Sequence, residues 1–134
     1  MRCNAAIAAL AAVASLVVTS ASVGADDGMP VVVKSLGPKS MRVRISAGQT
    51  LPCDSSANDK IFEGKLDPGW SITVYTASLS VCVEHTYHDF PDVHWSQGDI
   101  EWRPMICTWY GKYKHCVPAP DPTIRVNVDS TPPP

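Results

Sequence analysis

The chain predicts an all-β fold: a small immunoglobulin-like two-sheet β-sandwich of about seven to nine short antiparallel strands with two disulfides. Three observations carry that expectation. The 12 prolines recur often enough to interrupt nearly every window in which a helix would run. Beyond residue 25 only Leu36, Leu51, Leu66 and Leu79 represent leucine, so Val, Ile, Thr and aromatics carry the apolar content, as they do in pleated sheets. Alternation with period two then appears repeatedly between turn signals.

Residues 1–25 read as a cleaved secretory signal peptide. Met1-Arg2 provides the positive start, Ala5 to Val18 a run of small and apolar residues, and Val23-Gly24-Ala25 the small-residue exit. That run is shorter than the roughly 20 apolar residues a membrane-crossing helix needs. The expected mature chain, Asp26 to Pro134, is the size of one domain, with residues 26–129 forming the sandwich. Residues 130–134 read as a disordered Pro-rich tail without core-forming side chains. Secretion or export to a periplasm is therefore expected, and no membrane span remains after cleavage.

Strand candidates follow in order. Val31-Val32-Val33 is a short apolar run; Met41, Val43 and Ile45 alternate with Arg42, Arg44 and Ser46. Ile61-Phe62, the Ile72/Val74 alternation, Val81-Cys82-Val83 and the Ile124/Val126/Val128 alternation complete the set. Gly37-Pro38, Ala47-Gly48, Asp67-Pro68-Gly69 and Ala77-Ser78 supply the turns. The Asp67-Pro68-Gly69-Trp70 run leading into an alternating strand is a common connection in immunoglobulin-like sandwiches.

Cys53, Cys82, Cys107 and Cys116 read as two disulfides formed in an oxidising compartment, since no zinc-type C-x2-C pair occurs. One bridge follows from register. Gly111-Lys112 suits a two-residue type II′ turn. Centring a hairpin there pairs Tyr110 with Tyr113, Trp109 with Lys114, Thr108 with His115 and Cys107 with Cys116. The cysteines then fall on a non-hydrogen-bonded pair, about 4.5 Å apart at Cα, within reach of a disulfide. Cys53 then pairs with Cys82 by elimination, while sequence alone leaves the two other pairings of four cysteines open. Trp109 and Lys114 share the disulfide's face, where they can form a cation–π contact; Thr108, Tyr110, Tyr113 and His115 share the other. The tyrosines either cover the core with their hydroxyls at the rim or stand outward for a partner.

Ten basic against 13 acidic residues after residue 25 disfavour a nucleic-acid partner. Glu84, His85, His88, Asp89, Asp92 and His94 gather potential metal ligands in one segment. His85 and His88 would point to opposite faces of a strand, and a helix is disfavoured before Phe90-Pro91. The segment therefore reads as a polar surface loop and no metal is expected, with His85, His88 and His94 the candidates should an irregular loop converge them. No cofactor motif or catalytic signature occurs; carboxylates such as Asp89, Asp92, Asp99 and Glu101 cluster near the tryptophans, where an acid/base pair stays open but catalysis is not expected. Trp95, Trp102 and Trp109 recur every seven residues, a step that changes face in a strand, so the spacing reads as coincidental and the tryptophans as inter-sheet core rather than one sugar-binding face. Lys34, Arg42 and Arg44 suggest a basic stripe on a sheet exterior, read as a solvated face.

The expected function is a non-catalytic, exported protein that binds a protein partner, as an accessory or structural subunit of an envelope or extracellular assembly. Its contact residues are expected at the hairpin tip: Trp109, Tyr110, Lys112, Tyr113 and His115. The alternatives are an inhibitor of a secreted hydrolase that presents the closed hairpin, or a periplasmic metal-binding protein that uses the histidine loop.

Overall fold

The computed structural model describes residues 20–23, 28–90 and 94–134. Most of the expected leader, and the expected cleavage point, lie outside the described residues. Within that leader, the backbone of β1 (Ser20–Val23) runs parallel to β5. The other strands are β2 (Met29–Ser35), β3 (Met41–Ala47), β4 (Asp59–Leu66), β5 (Ser71–Thr76), β6 (Ser80–His85), β7 (Asp99–Trp102), β8 (Met105–Tyr110), β9 (Tyr113–Pro118) and β10 (Ile124–Val128). No helix occurs among the described residues.

Two four-stranded sheets, β1-β5-β2-β10 and β4-β3-β6-β7, face each other across one core, and β8-β9 forms a separate two-stranded ribbon. The alternation seen in sequence becomes the inner face. Val126 pairs with Val33 and Val33 with Ile72, while Ile124 pairs with Val31 and Val31 with Val74, so apolar rows cross the first sheet. Met41, Val43, Ile45, Leu66, Val81 and Val83 answer from the second sheet. Removing this much aliphatic surface from water, at about 25 cal/mol per Å², is the main force holding the sheets together.

Local chemistry explains the connections. In the turn Asp67-Pro68-Gly69-Trp70, the Trp70 N–H donates to the Asp67 carbonyl at 3.0 Å. Gly69 sits at φ +79°, so Pro68 and Gly69 occupy the central positions of a type II turn. The turn carries the chain from β4 in one sheet to β5 in the other. A bulge between Ile45 and Ser46 shifts the β3–β4 register, and both residues are buried.

The end of the chain is tied to the β2–β3 loop. Ser130 is buried, and its hydroxyl accepts a hydrogen bond from the Lys39 N–H at 3.1 Å. A Cβ on Gly37 would stand 2.2 Å from the Ser130 backbone nitrogen, so the two segments meet at a distance only glycine allows.

Two expectations need correction. The tryptophans do not fill the core: Trp102 and Trp109 are exposed, Trp95 is half-buried, and the core cluster is built from aliphatic side chains with Phe62 at its margin. Aliphatic side chains from both sheets, Val and Ile with Met41 and Leu66, make up that cluster instead. Nor is there a basic stripe. Lys34 lies in the opposite sheet from Arg42 and Arg44, and both arginines are paired with carboxylates.

Candidate functional site

The hairpin forms in the derived register. Tyr110 pairs with Tyr113, Trp109 with Lys114, Thr108 with His115 and Cys107 with Cys116. Gly111 has φ +65° and no non-glycine residue among the described residues has positive φ, which selects type II′ over type I′ at Gly111-Lys112. Cys107 and Cys116 are disulfide-bonded with Cα atoms 4.0 Å apart, and Cys53 is bonded to Cys82. Two intramolecular disulfides indicate an oxidising environment, as outside the cell or in a periplasm.

Exposure decides between the two readings of the tyrosines. Tyr110 is 64 % and Tyr113 74 % exposed, so neither covers the core. On the opposite face Trp109 is 64 % exposed; nearer the base Met105, on the Trp109 face, and Ile106 and Val117, on the tyrosine face, are also open to solvent. No other strand packs substantially against β8 or β9. The ribbon thus leaves the sandwich as a cross-linked arm with apolar side chains on both faces. Lys112, Lys114 and His115 are exposed along with them. The one cation–π contact among the described residues is Arg44 over Trp95, at 4.0 Å, and not the expected Trp109–Lys114 pair.

The base of the arm is fastened by a residue that sequence reasoning passed over. Arg103, between β7 and β8, is only 3 % exposed. Its Nε donates to the Ser78 carbonyl, Nη1 to Pro30 and Pro122, and Nη2 to Met29 and Thr76. All five guanidinium N–H groups are thereby used on five carbonyls. Burial pushes its pKa below the usual arginine range, yet the group stays protonated because nothing in proteins deprotonates a guanidinium. Its backbone N–H adds a bond to Leu79 at 2.9 Å, and the Ala119 N–H reaches the Pro104 carbonyl at 3.0 Å, closing the root of the ribbon.

The segment from Glu84 onward is partly structural. Glu84 is buried at 4 % exposure, and its Oε1 accepts from Arg44 Nη1 at 3.1 Å and from the Cys53 N–H at 3.0 Å. It thus joins β3, β6 and the loop that carries the buried disulfide. His85 Nδ1 lies 3.0 Å from the Thr86 carbonyl, and its ring meets Tyr87 edge-on at 5.4 Å. His88 and His94 both line an open cleft of about 540 Å³ together with Tyr87, Trp95 and Gln97. Pro132 and Pro133 complete the lining. Among the described residues no three His, Cys, Asp or Glu side chains gather as a metal set. Asp92 lies outside the described residues.

Of the carboxylates near the tryptophans, Glu101 has its pKa raised, by burial first and by the neighbouring Asp99 charge second. A raised carboxyl pKa means that ionisation costs folded stability. This penalty is absent below the unfolded value and grows as pH rises through the folded one. Glu101→Gln is therefore expected to match the parent in thermal unfolding at pH 3 and to exceed it at pH 7. The gain should be a few tenths of a kcal/mol, as for other partly exposed groups.

No helix among the described residues is long and apolar enough to cross a membrane. The chain matches no protein-family model, and searches of curated proteins and of solved structures found none similar to it. The function must be argued from the geometry.

Proposed function

We propose that this chain is an exported, non-catalytic binding protein that docks a protein partner through the β8–β9 ribbon, as an accessory subunit of an envelope or extracellular assembly. The observation that carries this reading is the exposure of Trp109, Tyr110 and Tyr113 on a ribbon against which no other strand packs substantially. Apolar side chains placed outside any core lower the free energy only when something covers them, and Trp and Tyr dominate binding hot spots. The disulfide and the type II′ turn hold the strands in register before binding, so little ordering entropy opposes association.

The projecting, preorganised shape also supports a second reading, a wedge that inhibits a secreted hydrolase. The two separate by partner. A subunit co-purifies in a stable complex from its own source, whereas an inhibitor lowers a hydrolase's activity at stoichiometric concentration.

Trp109→Ala and Tyr113→Ala are expected to leave the unfolding midpoint unchanged, because both side chains stand in water. Each should weaken partner binding about 30-fold or more, the effect of removing a hot-spot residue worth about 2 kcal/mol. Affinity measured against the captured partner, beside a melting curve for each variant, checks both halves. Unchanged affinity in both variants removes the ribbon from the interface.

A further inference from the structure

We infer that the cleft lined by Tyr87, His88, His94, Trp95 and Gln97 is a second binding site, distinct from the ribbon, and that it takes a proline-rich segment of a partner in the polyproline II conformation. The cleft of about 540 Å³ lies within the roughly 300–1,000 Å³ span of ligand sites. Its chemistry suits proline in particular. A polyproline II strand has three residues per turn and no internal hydrogen bonds, so it presents ring edges to an apolar wall and free carbonyls to donors. Aromatic-lined grooves bind such strands by offering both. Here the Tyr87 and Trp95 rings form the apolar part, while the Gln97 amide, the indole N–H, the phenol and the imidazoles supply donors.

Both rings are braced. The Arg44 guanidinium sits 4.0 Å from the Trp95 ring centre, and Arg44 is itself held by Glu84 at 3.1 Å and Glu63 at 3.4 Å. Tyr87 meets the His85 ring at 87° between planes. A wall already fixed before ligand arrives loses little entropy on binding.

What singles out proline over other apolar ligands is that the chain already lays prolines of its own along this cleft. Pro132 and Pro133, consecutive and in the run Thr131 to Pro134, line this same cleft. They reach it because Ser130 is buried under Gly37 and because Asp129 Oδ1 accepts the Thr131 N–H at 2.8 Å. Beyond Ser130 the tail is exposed along its length, so it rests at the cleft without being locked there. The tail acts as an internal competitor that a longer proline segment displaces.

The test uses decaproline as probe, with a Gly-Ser peptide of equal length and maltoheptaose as controls. Binding is followed by tryptophan fluorescence and by amide chemical shifts of the exported protein. The full chain should bind decaproline with shifts centred on Tyr87, Trp95 and Gln97. A chain ending at Ser130 should bind about tenfold tighter, the factor expected if the tail fills the site about 90 % of the time. Tyr87→Ser should weaken decaproline binding in either background. Because the shifts are read on unsubstituted protein, the result does not depend on that variant folding. Absence of saturable decaproline binding to the shortened chain, an affinity unmoved by shortening, or maltoheptaose binding in its place would each overturn the inference. The ribbon plays no part in the readout, so its failure as an interface would leave this result intact.

Discussion

Replacing Arg103 with Ala is expected to lower the free energy of unfolding by about 3–5 kcal/mol, the range for taking one partner out of a buried, hydrogen-bonded charge network. The five carbonyls that its guanidinium satisfies gather at one end of the first sheet, where β2 starts, β5 ends and the chain enters β10, and in the β5–β6 loop: Met29, Pro30, Thr76, Ser78 and Pro122. Without the side chain they are left facing a void of their own making, and each unpaired buried polar group costs about 1–3 kcal/mol unless water enters. Set against a total of about 5–15 kcal/mol, the loss brings the domain close to its limit. Lysine does not rescue it. An ammonium has three donors on one atom and cannot span carbonyls arranged around a planar fork, so Arg103→Lys should recover only a minor part. Urea denaturation with an unchanged m-value checks the figure. A loss below 1 kcal/mol for Arg103→Ala would mean that the fork is dispensable, and with it the rigid root of the ribbon.

The second large effect separates the two disulfides. In the chain-entropy model, the bridge between Cys53 and Cys82 closes about 30 residues and contributes about 3.6 kcal/mol. Both cysteines are fully buried, and Cys82 lies on β6 against Ser46 of the central β3. Replacing this pair with serines should therefore cost the sandwich at least that much and lower its melting temperature by well over 10 °C. Cys107→Ser with Cys116→Ser should behave differently. That bridge constrains about 10 residues of a ribbon against which no other strand packs substantially, so its local opening is expected to be separate from that of the sandwich. The sandwich should melt near its parent temperature while hydrogen exchange along β8 and β9 accelerates and partner affinity falls. Equal melting losses for the two double variants would show that the ribbon is part of the cooperative core, contrary to its exposure.

The ribbon was legible from sequence because everything that defines it is local. A glycine, a nine-residue cysteine spacing and the alternation rule fix one register without reference to the rest of the chain. The inner faces of β3, β5 and β10 were legible for the same reason, since Met41/Val43/Ile45, Ile72/Val74 and Ile124/Val126/Val128 each alternate within one strand. The short β7 was missed because Asp99 and Glu101 interrupt its apolar content, although Ile100 and Trp102 keep a period of two after Gly98. Arg103 left no signal at all. Its partners lie at residues 29–30, 76–78 and 122, and carbonyl oxygens carry no residue code, so no pattern along the chain announces them. The cleft was half visible. His88 and His94 stood out in the histidine segment and Trp95 in the tryptophan spacing, but nothing joined them to each other, and Pro132 and Pro133 reach them only through the docking of Ser130 beneath Gly37.

The central claim, that the ribbon is the protein-contact surface, is tested most directly by hydroxyl-radical footprinting. The protein is labelled once in an undiluted extract of its native compartment and once after purification. Trp70 and Trp102, both exposed on the sandwich, serve as internal references. The account predicts that Trp109, Tyr110 and Tyr113 are labelled several-fold more slowly in the extract, while Trp70 and Trp102 react equally in both samples. Equal labelling of Trp109, Tyr110 and Tyr113 in the two samples would contradict it, because a surface that meets its partner in place cannot remain as open as it is alone.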